Sequence, residues 1–525
     1  MSFKKLLWLP LWLSLCVAGS DAAVVKRVDV KSVLSDPANK WSKKTTLSFP
    51  DSAAFIGATE RWTVFNPPTY TAAISPATEK DVIKIARRTE HPPSPAGGER
   101  KVVERDWLAD NGNVQVNLAA SNNIPFLATG GRHGYTTTVG DLDNGLAIDL
   151  SLLNDIKINK GQKTLTVGPG VRVNEILDLV HKAGFFLPYC PSVIGVALGG
   201  GVGRFTGLYG LMIDDLVSVR IVTANGTVLE ASKKTNADLF WGIRGAGANF
   251  GIITSATFNV HPLLNKGNIF TTDLIFPANM TSAFFKAVET YSGRMPAEMA
   301  GIAIQVYDPA VGQSQVMTNW IYVGPEADAR RVLAPILDLR PPYAVSSNVP
   351  ANKLINSTFS GFGAAVCQEG VIRDIYSVNV RNYSAATWDK TFEKMARFFE
   401  DHPGGRGSAL QYELYPNQAM ASVSKDATAW PWRETTGYFQ TSMTWEQGDT
   451  ATANAAGALS RELRDVVVAT SGYPDATIFV NYAHGDEKLE NIYGKDKLPR
   501  LAGLKKTWDP THMFSFNNRL PTQYP

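Results

Sequence analysis

Two glycine-rich stretches are the places where this chain could bring backbone close to a charged ligand. The first, PFLATGGRHG from Pro125 to Gly134, is an apolar, strand-like run that stops at Gly130-Gly131 and continues as Arg132, His133 and Gly134. The second, LGGGVGRFTGLYG from Leu198 to Gly210, holds Gly199, Gly200, Gly201, Gly203 and Gly207 within nine residues. Glycine tolerates positive φ and admits close approach, so turns of this kind can aim several N–H groups at a phosphate. The pair points to a nucleotide cofactor held mainly by backbone. The competing reading is two tight loops between strands.

The common templates fit poorly. A Rossmann site needs G-x-G-x-x-G at a strand-to-helix turn. Gly199-x-Gly201 meets Arg204 at the final position, Gly201-x-Gly203 meets Thr206, and Gly245-x-Gly247 meets Phe250. There is no P-loop, no G-x-S-x-G elbow and no H-x-x-x-H pair, and the cysteines lie far apart, so no metal site is expected.

With 525 residues the chain exceeds one hydrophobic core, and two domains are expected. A net charge of +3 and the lack of a basic stripe with interleaved aromatics give no case for nucleic acid. Lys4-Lys5, the apolar run Leu6 to Ala18 and the small residues Gly19, Ser20, Ala22 and Ala23 follow the order of a secretory signal peptide over 1–23. The expectation is a secreted protein with no membrane association after cleavage. Sequons at Asn225, Asn279, Asn356 and Asn382 fit glycosylation on that route. Cys190 and Cys367 would remain in the mature chain, too few for a disulfide framework.

The elements that must position the glycine turns follow from periodicity. An arm over 24–65 precedes a strand at Tyr70 to Ile74 and a helix N-capped by Thr78, with Val82, Ile83 and Ala86 on one face. Residues 89–113 interrupt that pattern with Pro92-Pro93, Pro95 and Gly97-Gly98. This unusual insertion reads either as a surface loop or as an unspliced intron translated into the chain. Strands are expected at Leu146 to Leu150 and Thr164 to Val167, then a helix from Val171 to Lys182 stopped by Gly184. Asn225-Gly226 predicts a two-residue hairpin, and Ile252 to Val260 a strand. Beyond 264 strand-like segments (Ala303 to Tyr307, Asn319 to Val323) alternate with helical ones (Thr281 to Ser292, Ala327 to Leu337). A final segment carries a strand at Thr477 to Tyr482 and a helix around Leu498 to Thr507.

Four separated blocks in this order, TGGRHGY, YCPSVIGVALGGGVGRFTGLYGL, WGIRGAGANFGIITSA and NYAHGDEKL with its continuation to THMF, make the chain similar to one family. It resembles the berberine bridge enzyme-like, FAD-linked oxidases of the vanillyl-alcohol oxidase superfamily. The resemblance covers nearly the whole mature chain. It implies an α+β fold: a PCMH-type, two-subdomain FAD-binding domain over 66–263, a substrate domain on an antiparallel sheet covered by helices over 264–475, and a segment over 476–525 completing the FAD domain.

The resemblance also implies roles. Thr129, Gly130, Gly131, Arg132, His133 and Gly134 would cradle the FAD pyrophosphate, with His133 bonded to the flavin 8α-methyl carbon. Gly199, Gly200, Gly201, Gly203, Gly207, Gly251 and Ile252 would complete the cofactor site. Some relatives add a cysteinyl bond, but counting back from Gly199 puts that cysteine at Pro188. Cys190 is therefore read as a non-bonded residue, with a second flavin link as the alternative. Gln440 matches a Glu or Gln facing the substrate, and Tyr482 a tyrosine beside the flavin. Glutamine has no titratable acceptor near neutrality. Tyr482 is thus the expected base, although its ordinary pKa of about 10 would need lowering. The implied activity is transfer of hydride from a small organic substrate to flavin N5, with O2 as acceptor. The missing carboxylate at position 440 favours a secondary-metabolite intermediate as substrate. A carbohydrate oxidase and a non-catalytic flavin-binding protein are the alternatives.

Overall fold

The computed structural model describes residues 28–86, 119, 122–188, 193–361 and 368–525. The expected leader at 1–23, the insertion at 89–113, Cys190 and Cys367 lie outside the described residues.

Three larger sheets and a two-stranded ribbon, Phe185–Phe186 with His261–Pro262, organise these residues. In the four-stranded sheet the order is Thr46–Ser48, Tyr70–Ser75, Gly145–Asp149, Phe126–Thr129. Its edge strand comes from the N-terminal arm and pairs antiparallel, whereas the other two pairings are parallel. Parallel strands suit the apolar run before Gly130, because Phe126 and Ile148 are buried on this sheet. The five-stranded sheet is antiparallel: Ile156–Asn159, Thr164–Val167, Ile252–Asn259, Leu216–Val222, Val228–Ser232. Helix Val173–Lys182 buries Val173, Ile176 and Val180 and ends at Gly184, where φ is +88°.

The seven-stranded sheet is antiparallel throughout, in the order Tyr343–Pro350, Asn268–Pro277, Gln313–Tyr322, Met299–Asp308, Ala409–Leu414, Gly437–Met443, Asp374–Val380. Side chains alternate between its two faces. Phe270, Phe276, Trp320, Tyr412 and Phe439 fill one face and pack in a single core with Phe284, Trp388 and Leu463. Those last residues come from helices Thr281–Glu289, Ala385–Asp401 and Thr450–Val468. The opposite face carries the polar residues described below.

Two local expectations are corrected. The hairpin at Asn225-Gly226 forms, but Thr223 N donates to Thr227 O, so the loop between them is Ala224-Asn225-Gly226. Only Gly226 takes a positive φ, +76°, while the Asn225 carboxamide accepts from Thr223 Oγ1 and Thr227 N instead of pairing with Gly226 in a two-residue turn. The expected strand at Thr477 to Tyr482 does not form. Its backbone bonds go to scattered partners, Asn379 N to Thr477 O and Ile478 N to Asn491 O, which gives no ladder, and Val480–Tyr482 closes into a 3-10 turn. Ile478, Phe479, Leu498 and Leu501 from this segment share a core with Val173 and Phe240.

A buried ion pair fixes the loop before strand Gly437–Met443. Arg433 reaches Asp214 through two hydrogen bonds of 2.9 and 3.0 Å, with side-chain exposures of 3% and 11%. It also donates to Met420 O and Thr428 Oγ1. Removing one partner of such a pair leaves an uncompensated buried charge, a loss of about 3–5 kcal/mol. Arg433→Met should therefore lower the melting temperature sharply, and adding Asp214→Asn should restore part of the loss in calorimetry.

Candidate active site

The turn after strand Phe126–Thr129 is locked from both sides. Arg132 adopts φ +52° and spends its guanidinium on Asp149 at 2.8 Å and on Glu60 O at 2.9 Å. Its side chain is thereby committed to the protein, and a ligand would meet residue 132 through its backbone. Arg61 donates to Gly134 O. A side chain at Gly130 would lie 2.2 Å from Pro169 O. The backbone N–H groups of residues 131–134 reach no acceptor among the described residues. Four free donors on a rigid turn suit an anionic pyrophosphate. By this test the turn fits FAD.

His133 stacks on Trp62, with ring centroids 4.4 Å apart and planes within 15°. The Arg373 guanidinium lies 4.2 Å from the Trp62 ring centroid. Burial, with the charges of Arg373 and Arg61 adding to it, pulls the His133 imidazole down to about 4. The ring is therefore neutral, with a free lone pair, across the physiological range.

The second glycine block packs the C-terminal segment against the fold. A Cβ at Gly199 would sit 1.9 Å from Asn481 Oδ1, and Asn481 Nδ2 donates to Val196 O. This contact sets the residue before Tyr482. Ile252 is a core residue at 2% exposure, so it too could meet a cofactor only through backbone.

Glu413 is the residue that sequence reasoning missed. It lies on strand Ala409–Leu414, opposite Tyr438, and is 5% exposed. Tyr482 donates to it at 3.0 and 3.2 Å, and Gln411 donates at 2.8 Å. Burial raises the Glu413 carboxyl to about 7, against the lowering effect of the Tyr482, Tyr415 and Gln411 hydrogen bonds and the Arg204 charge. The carboxylate absent from position 440 is thus present on the neighbouring strand, so glutamine at 440 does not select a substrate class. Its signal was the alternation Leu410-Gln411-Tyr412-Glu413-Leu414, a strand with a polar face.

Gln440 pairs with Gln411 across the strands and accepts a 3.4 Å bond from Tyr135. Its Nε2 is buried without a partner. Tyr135 stacks beside Tyr482 with centroids 6.2 Å apart. Burial, then the charges of Glu413 and Glu487, push the Tyr135 phenol well above its ordinary value, which keeps it a neutral donor. Ser377 Oγ donates to Tyr482 O at 2.8 Å. The structure thus brings Tyr482, Gln440, Glu413 and Tyr135 together. The sequon residues Asn225, Asn279, Asn356 and Asn382 are all exposed.

Known proteins fit this arrangement. An FAD binding domain matches residues 113–232, and a berberine and berberine-like domain matches residues 478–521. The FAD-linked oxidoreductase fogF of Aspergillus ruber is 44% identical over 505 residues, covering 95% of each chain. The wild-type BBE-like 1 protein of Physcomitrella patens superposes with a TM-score of 0.76 at 22% identity, over 95% of this chain and all of that one. Glucooligosaccharide oxidase from Acremonium strictum, described with a 6-S-cysteinyl, 8α-N1-histidyl FAD, does so with a TM-score of 0.73 at 19% identity, over 95% of this chain and all of that one.

The Tyr482–Glu413 bond has a measurable consequence. A glutamate raised from 4.5 to about 7 binds its proton more tightly folded than unfolded, so it favours the fold below 4.5 and loses that contribution as pH rises through 7. Tyr482→Phe deletes a bond that lowers this pKa. The protonated carboxyl band in difference infrared spectra should then persist to higher pH than in the parent, and coincident titrations would mean that no such bond exists.

Proposed function

The chain belongs to the berberine bridge enzyme-like FAD-linked oxidoreductases, with a PCMH-type FAD-binding fold, and from that premise we propose that it oxidises a hydroxyl-bearing intermediate of secondary metabolism. The buried Tyr482–Glu413 pair carries the oxidation of a hydroxyl, and the secondary-metabolite class is the expectation that an activity assay must test. When bound, FAD supplies the hydride acceptor at N5 and passes electrons to dioxygen.

The chain's own residues handle the proton. The substrate hydroxyl donates to the Tyr482 oxygen while the Tyr482 O–H donates to Glu413. As the carbonyl forms, the hydroxyl proton moves to Tyr482 and the tyrosine proton to the Glu413 carboxylate. This relay removes the need for a stable phenolate on Tyr482, which an ordinary pKa of about 10 would disfavour. Gln440, with a free Nε2, and the neutral Tyr135 orient the substrate oxygen.

On this reading Thr129 to Gly134 hold the pyrophosphate by backbone, the glycines of the second block and Gly251 shape the rest of the site, and His133 links covalently to the flavin 8α-methyl carbon. The support for the link is the neutral, stacked imidazole. Secretion and glycosylation at the four exposed sequons belong to the same proposal. A carbohydrate substrate is the second reading, favoured by the likeness to the glucooligosaccharide oxidase fold.

Two experiments test these assignments. Anaerobic rapid-mixing reduction should speed up through a pH limb near 7, as Glu413 ionises and becomes a proton acceptor. Glu413→Gln should abolish the limb and slow reduction by on the order of 10² to 10⁴. A parental limb surviving in that variant removes Glu413 from the relay. Acid precipitation should leave yellow flavin on the parental polypeptide and release it from His133→Ala. Flavin retained by that variant would place the link elsewhere, with Cys190 the first position to map.

A further inference from the structure

The face of the seven-stranded sheet that carries Glu413 is divided. One register row crosses all seven strands: Tyr343, Ile275, Met317, Ile304, Gln411, Gln440, Ser377. Its second part is polar and tied to the reacting pair, since Gln411 bonds Glu413, Gln440 bonds Tyr135 and Ser377 bonds the Tyr482 carbonyl. Its first part is apolar. Ile275, Met317 and Ile304 are half-buried and join no hydrophobic core among the described residues, and Tyr343 is 37% exposed. Half-buried aliphatic side chains that pack into no core, in register with the reacting groups, form a floor for an apolar ligand.

The neighbouring row reinforces the division. It runs Val345, Asp273, Asn319, Ile302, Glu413. Asp273 and Asn319 could in principle offer hydrogen bonds to a sugar. Asn319 Nδ2, however, donates to Thr271 Oγ1 and Asp273, and the asparagine accepts from Arg204. The Asp273 carboxylate is further committed to the backbone N–H groups of Phe359 and Ser360, at 3.0 and 2.6 Å. Val345, at the edge, is 48% exposed. In these two rows the floor beyond Gln411 therefore offers hydrocarbon, with the polar groups of Asp273 and Asn319 already satisfied.

We propose that the row from Ile304 to Tyr343 binds an aliphatic tail of the substrate, so that the substrate is an amphiphile with its hydroxyl head over Gln411, Gln440 and Glu413. This rests on the oxidative reading above for the position of the head. Three strand spacings of about 4.8 Å separate the ends of the row, giving a tail site ~14 Å long.

The test is a binding series that needs no turnover. Para-alkylbenzamides, which carry no hydroxyl to oxidise, are titrated into the holoenzyme and followed by perturbation of flavin absorbance. Affinity should rise about two- to fourfold per methylene from methyl to hexyl, the increment expected for buried CH₂ groups. Ile304→Gln and Met317→Gln, made separately, should each flatten the slope, while Ile304→Leu should keep it. A flat series in the parent overturns the tail site, as does a slope unchanged in both glutamine variants. A parallel panel of para-alkylbenzyl alcohols and oligosaccharides reports turnover. Failure of every alcohol to reduce the flavin would sink the oxidative reading while the benzamide slope still decides the tail site.

Discussion

Burying a carboxylate between the glycine-rich half of the molecule and the large sheet is the constraint on which the site depends. An unpaired carboxylate at 5% exposure would cost several kcal/mol, so it must be hydrogen-bonded, protonated or both. Glu413 is served by donors from separate parts of the chain. Gln411 comes from its own strand and Tyr482 from the C-terminal segment, while the charge of Arg204 comes from the second glycine block. Arg204 itself bonds Asn319 on the sheet. Satisfying Glu413 and docking the two halves are therefore one event. A carboxyl left near pH 7 by this balance is suited to exchanging protons at neutrality.

The segment carrying Tyr482 is held by a second charged cluster two residues further on. His484 Nε2 lies 2.9 Å from Asp374, and its ring stacks on Tyr376 at 3.9 Å. Asp486 approaches its Nδ1 at 3.5 Å and is itself gripped by Arg464. Burial alone would lower the His484 pKa, yet the Asp374 hydrogen bond and the nearby carboxylates of Asp374 and Asp486 raise it to about 9. Its stabilising charge is thus fully present below 6.5 and fades only as pH rises through 9. The carbonyl of the same residue accepts from Thr137 N and Thr137 Oγ1, four residues beyond His133. The segment is thereby tied at once to the sheet and to the loop that continues the Gly130–Gly134 turn.

Much of this was legible in the sequence where a local rule was decisive. Glycine runs marked both turns, Thr78 capped its helix, and Gly184 ended another. The blocks around His133, Gly199 and Tyr482 gave the family. What escaped depended on contacts between distant residues. Glu413 is an ordinary strand residue until Tyr482, sixty-nine positions later, donates to it. Trp62 gains its place beside His133 through Arg373, more than three hundred positions away, which donates to the Trp62 carbonyl. The expected strand before Tyr482 failed for a related reason: β-branched and aromatic residues fit a strand, but the segment meets the edge strand Asp374–Val380 through one backbone bond, Asn379 N to Thr477 O, and builds no ladder on it.

The division of this face of the large sheet follows from pairing geometry. A strand's side chains alternate, so a one-residue slip would exchange its two faces entirely. On strand Met299–Asp308 such a slip would move Ile302 and Ile304 into the helix-covered core and bring Gly301 and Ala303 to the site. The aromatic core forbids this, because Trp320 and Phe276 fill volume against helices that cannot accommodate another register. The core thus fixes which residues look toward the cofactor half, while placing no demand of its own on what those residues are. Their composition is free to answer to a ligand. In the row through Gln411 it changes from amide to aliphatic between adjacent strands, at the step from Gln411 to Ile304.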